Sequence, residues 1–215
     1  MNGNYYFKIF FIFFFSAGTC VAQQNINYDL NTALKQHKLL FDAKQSVTLI
    51  EDHPMHGISA NGIVWLGDTE FSTGTIDIDL RGKDIFQQSF LGIAIGLDTT
   101  TYEAVYFRPF NFQSTDEIRR NHTVQYISHP DYPWEKLRDE FPLVYEHATK
   151  PFPLAKDWFH AKIVIDKDKI SVYVNHSPAI SLHVKRLNKI QKGMLGLWTY
   201  GLKGDFVNLK ITNTE

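Results

Sequence analysis

The stretch SFLGIAIGLDTTTYEAVYFRPFNF, residues 89–112, decides the fold of this 215-residue chain. In its first half the apolar residues alternate with small ones: Leu91, Ile93, Ile95 and Leu97 with Gly92, Ala94 and Gly96. A period of two is typical of a β-strand and does not fit a helix. The polar connection 98–101 then leads into a second alternating run, so the stretch predicts a β-hairpin.

The return run, residues 102–110, places Glu103, Val105 and Phe107 on one face and Tyr106 and Arg108 on the other. With the aliphatic residues facing the core, the opposite face is predicted to carry a floor of glycine and alanine. Glycine inside a strand indicates close approach by a ligand or by another backbone. The pattern therefore predicts a groove that holds either a ligand or a loop of the same protein.

Further alternating runs lie on both sides of this hairpin. Residues 75–80, TIDIDL, turn Asp77 and Asp79 away from the core, as in a half-buried antiparallel strand. Runs at 161–165 and 170–174 predict a second hairpin, and runs at 58–66, 180–184, 195–200 and 206–211 predict more strands. About ten short strands with almost no helix predict an all-β fold, a two-sheet antiparallel jelly-roll sandwich. Residues 111–157 are predicted to be one long irregular insertion that packs as a wall of the groove.

The N-terminus predicts a secretory signal over residues 1–22. Lys8 precedes a short apolar run that is too short to span a bilayer, and we expect cleavage after Ala22. Lipoprotein processing at Cys20 is the less favoured alternative, because Thr19 is a poor residue before a lipidated cysteine. Residues 23–45 are predicted to be a polar lead-in, and residues 46–215 the single domain. The mature protein is thus expected to be secreted or periplasmic, without membrane insertion.

The charge balance argues against one class of partner. Removal of Lys8 lowers the 22 basic residues to 21 against 23 acidic ones, a net charge of −2. Such a chain has no basic excess to neutralise phosphates, so nucleic acid is not expected. The one cysteine is Cys20, so the core and not disulfides must stabilise the exported domain. The sequence leaves the oligomeric state undetermined.

The chain resembles the concanavalin A-like lectin/glucanase superfamily, and more narrowly small secreted bacterial domains of the 3-keto-disaccharide hydrolase-like, glycoside hydrolase-like type. The resemblance is carried by residues 71–80 (FSTGTIDIDL), 92–96, 102–112 (YEAVYFRPFNF), 125–134 (QYISHPDYPW), 158–165 (WFHAKIVI) and 193–206 (GMLGLWTYGLKGDF). It implies two stacked antiparallel sheets with carbohydrate on the concave one. Because the superfamily holds lectins, hydrolases, lyases and binding modules, the fold alone does not give the function.

Three residues are candidates for acid–base work on a saccharide: Asp77, Glu103 and His129. Asp77 and Asp79 project from one face about 6.6–6.8 Å apart along the strand, where glycosidases use carboxylates about 5 Å apart or wider; the alternative is a solvated outer face. Glu103 is predicted on the core face, where it needs a cationic partner or a bulge that turns it toward the groove. His129 titrates near neutrality, but a histidine before a proline is also a common turn residue.

A larger set is expected to bind the saccharide through ring stacking and through guanidinium and amide hydrogen bonds. Its members are Tyr102, Tyr106, Arg108, Asn111, Gln125, Tyr126, Trp134, Trp198 and Tyr200. For Trp198 and Tyr200 the alternative is a place in the core under the insertion.

No cofactor is expected, and no metal motif stands out. His53 and His56 lack further ligands at a recognisable spacing. Calcium is common in the superfamily that the chain resembles and stays an open alternative, although no oxygen-rich loop is evident. We therefore expect a secreted domain that binds an oligo- or polysaccharide during polysaccharide degradation, with hydrolysis left open. The alternatives are a non-catalytic lectin-like module and a structural domain whose groove is filled by residues 111–157.

Overall fold

The computed structural model describes residues 24–52, 54, 56–188, 190 and 192–214. The predicted signal, residues 1–22, and His53 lie outside these described residues. The strands are β1 Gln24–Asn27, β2 Leu39–Leu40, β3 Val47–Leu49, β4 Gly57–Ala60, β5 Ile63–Phe71, β6 Gly74–Arg81, β7 Ser89–Gly96, β8 Tyr102–Phe107, β9 Val124–His129, β10 Glu146–His147, β11 Phe159–Ile165, β12 Lys169–Val174, β13 Ile180–Lys185, β14 Gly193–Gly201 and β15 Gly204–Asn213. The helices are α1 Leu30–Lys35, α2 Glu117–Arg120 and α3 Trp134–Glu140, with a short 3-10 helix at Pro109–Asn111.

These strands form two antiparallel sheets. The first has eight strands in the order β13-β12-β11-β6-β15-β4-β3, with β1 also paired to β15. The second has seven, in the order β10-β9-β8-β7-β14-β5-β2. The predicted all-β jelly-roll sandwich is confirmed, with more strands in the described residues than the roughly ten that the alternation predicted. No helix in this part of the chain has the length and apolar character needed to cross a membrane.

The core lies between the two sheets and follows the alternation of the strands. Along β6, Ile76, Ile78 and Leu80 are fully buried while the intervening aspartates are half-buried. From the second sheet, Leu91 and Ile93 of β7 point into the same interior. Each such side chain contributes about 1.5–3 kcal/mol through its burial.

The predicted central hairpin is present, and its register places Gly92 opposite Tyr106 and Ile95 opposite Glu103. The turn differs from the prediction: Leu97 is 56 % exposed and begins the connection rather than ending the apolar face of the strand. The Asp98 carboxylate accepts hydrogen bonds from backbone N–H groups of the turn, which favours an early end to β7.

The lead-in belongs to the sandwich. Strand β1 pairs with the C-terminal strand β15, and β2 pairs with β5. Between them α1 is capped by the Asp29 side chain and buries Leu30 and Ala33 against the core. The three-residue spacing of these two apolar positions gives the short helix one buried face.

The predicted insertion is more regular than its composition indicates. It contains β9, which pairs with β8 along six residues, the edge strand β10, and the helices α2 and α3. Strands β9 and β10 extend the second sheet, and helices α2 and α3 lie beside its outer face. They position one wall of the groove described next.

Candidate functional site

An open groove of about 710 Å³ lies on the outer face of the second sheet, a size typical of ligand sites. Strands β7, β8, β9 and β14 supply its floor, and the 3-10 helix, α2 and α3 supply a wall. Its aromatic lining consists of Phe86, Phe90, Tyr102, Tyr106, Phe110, Trp134, Trp198 and Tyr200. The polar lining consists of Gln87, Arg108, Asn111, Arg119, His122, His129, Glu135 and Arg138, and Ile127 completes it. The insertion thus walls the groove and does not fill it.

The strip of small residues is covered by neighbouring aromatic rings. Gly92 lies between Tyr106 on β8 and Trp198 on β14, and those two rings stack with centroids 4.8 Å apart. Gly92 and Ala94 are both buried. A Cβ on Gly92 would collide with the backbone carbonyl of Val105, so the neighbouring strand requires this glycine. This corrects the expectation of a bare floor: a ligand would lie on the rings.

Most of the predicted binding residues meet at this groove. Those that line it are Tyr102, Tyr106, Arg108, Asn111, Trp134, Trp198 and Tyr200. The aromatic residues of this set differ in how far their side chains are exposed. Tyr200 is 68 % exposed and Trp134 41 %, whereas Trp198 is 6 % exposed and Tyr106 3 %. The two exposed rings can stack on a ligand, while the two buried rings hold the floor together.

A hydrogen-bonded network fixes Arg108 in the floor. Arg108 Nη2 donates to the Tyr106 hydroxyl at 2.8 Å and to Gln125 Oε1. The Tyr106 hydroxyl in turn donates to Gln125 Oε1 at 2.8 Å. Gln125 is fully buried and lies behind the lining, so it positions groove residues and does not face the cavity. Burial also raises the pKa of Tyr106 to about 12, so this hydroxyl stays protonated at neutral pH.

Glu146 on β10 is the carboxylate that Arg108 and Arg138 share at this end of the groove. Its carboxylate accepts from Arg138 Nε and Nη2 at 2.8 and 2.6 Å, and Arg108 Nη1 lies 3.5 Å away. His122 Nδ1 lies 2.8 Å from the same carboxylate without hydrogen-bond geometry. Burial raises the pKa of Glu146, but the adjacent Arg138, His122 and Arg108 outweigh burial and hold that pKa below its ordinary value. Glu146 is therefore ionised and offsets one of the two positive charges of Arg108 and Arg138.

Glu103 and Tyr126 do not belong to the groove, which corrects their predicted site roles. Glu103 is 1 % exposed and points between the sheets, where Arg186 Nε donates to it at 3.0 Å. The Tyr126 hydroxyl donates to the other oxygen of Glu103 at 2.8 Å. The alternation of β8 puts Glu103 on the inner face, and Arg186 supplies the cationic partner that this position requires.

Asp77 is also placed away from the groove, because β6 belongs to the first sheet. On the outer face of that sheet, His160 Nε2 lies 3.2 Å from Asp77 Oδ1 and His160 Nδ1 lies 2.8 Å from Asp79 Oδ1. Asn208 donates to Asp79 at 2.6 Å. Burial disfavours the charged imidazole, but the two carboxylates outweigh burial and raise the pKa of His160. The core separates this cluster from the groove, so Asp77 cannot share acid–base work there.

His129 is the one of the three acid–base candidates that lines the groove. Its ring stacks on Tyr102 with centroids 4.9 Å apart. Burial lowers the pKa of His129, against a smaller opposing effect of Glu135. The imidazole is therefore neutral at pH 7 and can accept a proton from a bound group.

Several lining residues were not foreseen. Phe90 shares the parity of Gly92 along β7, so the alternation itself could have found it. Glu135 and Arg138 required knowledge of α3, and Arg119 required knowledge of α2, whose four residues carry little periodic signal. Among the described residues, no group of three or more His, Cys, Asp or Glu side chains is arranged to hold a metal ion.

No family model and no curated protein matches this chain. Solved structures match its fold. A Bacillus subtilis protein of unknown function with a galectin-like fold is 14 % identical at a TM-score of 0.55, with 92 % of this chain and 96 % of that chain covered. The carbohydrate-binding module CBM66 from Bacillus subtilis is 13 % identical at a TM-score of 0.53, with 78 % and 94 % covered. Domain 4 of AbnA, an extracellular GH43 arabinanase from Geobacillus stearothermophilus solved with arabinotriose, is 13 % identical at 0.51, with 89 % and 82 % covered.

The chain therefore shares the two-sheet sandwich fold of these structures, one of which is described as galectin-like. At this level of identity the likeness concerns the arrangement of the strands and not the chemistry of the groove.

Proposed function

We propose that this protein is an exported carbohydrate-binding domain that takes an oligosaccharide, or a segment of a polysaccharide, into the groove of the second sheet. The observation that carries the proposal is the lining itself: eight aromatic side chains interleaved with guanidinium, amide and imidazole groups in one open trough. A sugar ring offers an apolar C–H face and a rim of hydroxyls. Aromatic faces suit the first, and fixed polar donors and acceptors suit the second.

The position of the exposed rings supports this proposal. Tyr200 lies on β14 and packs edge-on against Phe90, which holds its exposed ring beside the floor. Trp134 begins α3 on the insertion side, with the Arg138 guanidinium 4.9 Å from its ring. A saccharide lying on the floor would contact one ring at each side.

The structural neighbours add support at the level of the fold. One is named as a carbohydrate-binding module, and another was solved in complex with arabinotriose. Both reach their similarity over most of this chain. We infer the same general use for this sandwich, with export directed by residues 1–22; N-terminal sequencing of the protein recovered outside the cytoplasm tests the cleavage after Ala22.

The binding proposal is tested by calorimetric titration of the mature protein with a panel of plant, algal and bacterial oligosaccharides. Tyr200→Ala and Trp134→Ala are each expected to weaken binding about tenfold, because each removes an exposed contact ring worth more than about 1 kcal/mol. Phe41→Ala is the matched control, since Phe41 is 39 % exposed but does not line the groove. Unchanged affinity in both groove variants, or no binding across the whole panel, contradicts the proposal.

Hydrolysis of the bound saccharide is the second candidate function, in line with the resemblance to 3-keto-disaccharide hydrolase-like domains. Glu135 and His129 favour it, because they are a carboxylate and a neutral imidazole on the same groove. Glu135 is the one carboxylate among the described lining residues, so the two-carboxylate arrangement of most glycosidases is not assembled there. A reducing-end assay with wild type and Glu135→Gln decides: product formed by wild type and lost in the variant supports hydrolysis, and saccharide bound without product supports a binding module.

A further inference from the structure

Arg119 differs from the other two guanidiniums of the groove in how it is held. Its Nε donates to Asn111 Oδ1 at 3.1 Å and its Nη2 to the Phe110 carbonyl at 2.8 Å. The guanidinium lies over the Phe86 ring, 4.4 Å from its centroid. Asn111 is itself 4 % exposed and anchored to the His122 carbonyl, so it offers Arg119 a fixed acceptor. The orientation of this cation is therefore set before any ligand arrives.

The same contacts leave one edge of Arg119 unused. A guanidinium carries five N–H groups, and the described residues take one on Nε and one on Nη2. Both hydrogens of Nη1 and the second hydrogen of Nη2 remain, and one hydrogen from each of these nitrogens makes the fork that matches two oxygens of one anionic group.

Arg119 also lacks a counter-charge within the described part of the chain. Arg108 and Arg138 share the buried carboxylate of Glu146. Glu135, the carboxylate on the lining, acts on the pKa of His129 and forms no ion pair with Arg119. A cation that is oriented, half-buried and unneutralised on the wall of a binding groove favours an oxyanion in that groove.

We propose that the saccharide bound by the groove is acidic, and that Arg119 binds its carboxylate or sulfate ester through the Nη1–Nη2 edge. This inference rests on the proposed function and deepens it by naming the class of ligand. Carboxylate and sulfate present the same pair of oxygens to the fork, so the geometry supports both, and neutral saccharides are expected to bind more weakly.

The test compares uronic-acid oligosaccharides of several backbones with their methyl esters, and sulfated galactan oligosaccharides with their desulfated forms, by calorimetry on the mature protein. We expect the charged member of at least one pair to bind about tenfold or more tightly, with the preference reduced at high salt. Arg119→Gln is expected to remove that preference, so that the charged and neutral members of the pair bind the variant with similar affinity. Arg119→Lys, which keeps the charge but not the fork, is expected to retain part of it.

Arg120→Gln is the matched control, because Arg120 is the next residue of α2, bonds to the Ser114 and Thr115 carbonyls and does not line the groove. Thermal unfolding of each variant verifies that it is folded before binding is measured. Neutral saccharides bound as tightly as acidic ones, or a preference that survives in Arg119→Gln, overturns the inference and leaves the binding function standing. Absence of binding to every saccharide, charged or neutral, overturns both.

Discussion

Glu103 is a charged residue in the middle of a β-sandwich, and its environment explains why it is tolerated there. Two nitrogens of Arg186 donate to one of its oxygens, and the Tyr126 hydroxyl donates to the other. Arg186 is held in turn by the Ser72 and Asp166 carbonyls. Removing one partner of such a pair leaves the other charge buried and uncompensated.

Replacing Glu103 by glutamine is therefore expected to lower the free energy of unfolding by about 3 kcal/mol, measured by urea denaturation at pH 7. The double variant Glu103→Leu with Arg186→Leu is expected to recover most of that loss, because it removes both charges. Saccharide affinity of the folded Glu103→Gln protein is expected to match wild type. A variant of unchanged stability that loses saccharide binding or turnover contradicts this structural role.

At the scale of single residues, the sequence could predict which side chains face the groove but not which of them contact one another. Alternation places Tyr106 and Arg108 on the groove side of the hairpin, and in the structure both residues line the groove. The sequence cannot reveal that Trp198, distant along the chain, stacks on Tyr106, because that contact depends on β14 lying next to β7. The same long-range pairing turns the strip at Gly92 from an open floor into space for two rings.

At the scale of the elements, β6 and β11 carry a charge cluster on the outer face of the first sheet. His160 on β11 lies between Asp77 and Asp79 of β6, and the His176 ring stacks on it with centroids 4.1 Å apart. The pKa of His160 is raised above its unfolded value. Protonated His160 therefore stabilises the folded protein fully at pH values below the pKa of histidine in the unfolded chain, about 6.5. This contribution is lost as the pH rises through the pKa of His160 in the folded protein.

We expect wild type to lose about 0.5–1 kcal/mol of unfolding free energy, relative to His160→Gln, between pH 6 and pH 8.5. Urea denaturation of both proteins at the two pH values measures this difference. His183→Gln is the control, because His183 is an exposed histidine of the same sheet that contacts the Ser171 hydroxyl and no carboxylate. A wild-type advantage that grows with rising pH contradicts the assignment.

Local elements with a strong period were predictable, and those fixed by distant contacts were not. The hairpin of β7 and β8 and that of β11 and β12 follow from alternation and a polar turn, because each contains its own pairing information. The lead-in and the insertion carry mixed signals. Their strands β1, β2 and β10 have two to four residues, too few to show a clear period of two, and each forms by pairing with a longer strand of its sheet.

At the scale of the whole molecule, the two outer faces have separate chemistry. The second sheet carries aromatic rings and guanidiniums in an open groove, and the first carries the aspartate–histidine cluster. Both sheets share one core, which also includes the buried lining residues Tyr102, Tyr106, Ile127 and Trp198, whereas the exposed rings of Trp134 and Tyr200 lie outside it. Asp77 and Arg108 therefore lie on opposite sides of the core and take part in unrelated interactions.

The four tryptophans of the chain are distributed unevenly over this architecture. Trp65 is 5 % exposed, Trp198 is 6 % exposed within its stack, and Trp158 lies away from the groove beside the Arg81 guanidinium. Trp134 is the one tryptophan among the described residues that both lines the groove and is substantially exposed, at 41 %. Its emission should therefore respond when a ligand displaces water.

Titration with a saccharide that binds the groove is therefore expected to shift the intrinsic fluorescence of the protein to shorter wavelength and to change its intensity. Trp134→Phe keeps a ring on the wall but is expected to abolish most of the spectral change, whereas Trp158→Phe is expected to retain it. An undiminished fluorescence change in Trp134→Phe would show that another aromatic side chain produces the change, which contradicts the prediction. If the signal follows Trp134, its dependence on concentration yields a dissociation constant without any label attached to sugar or protein.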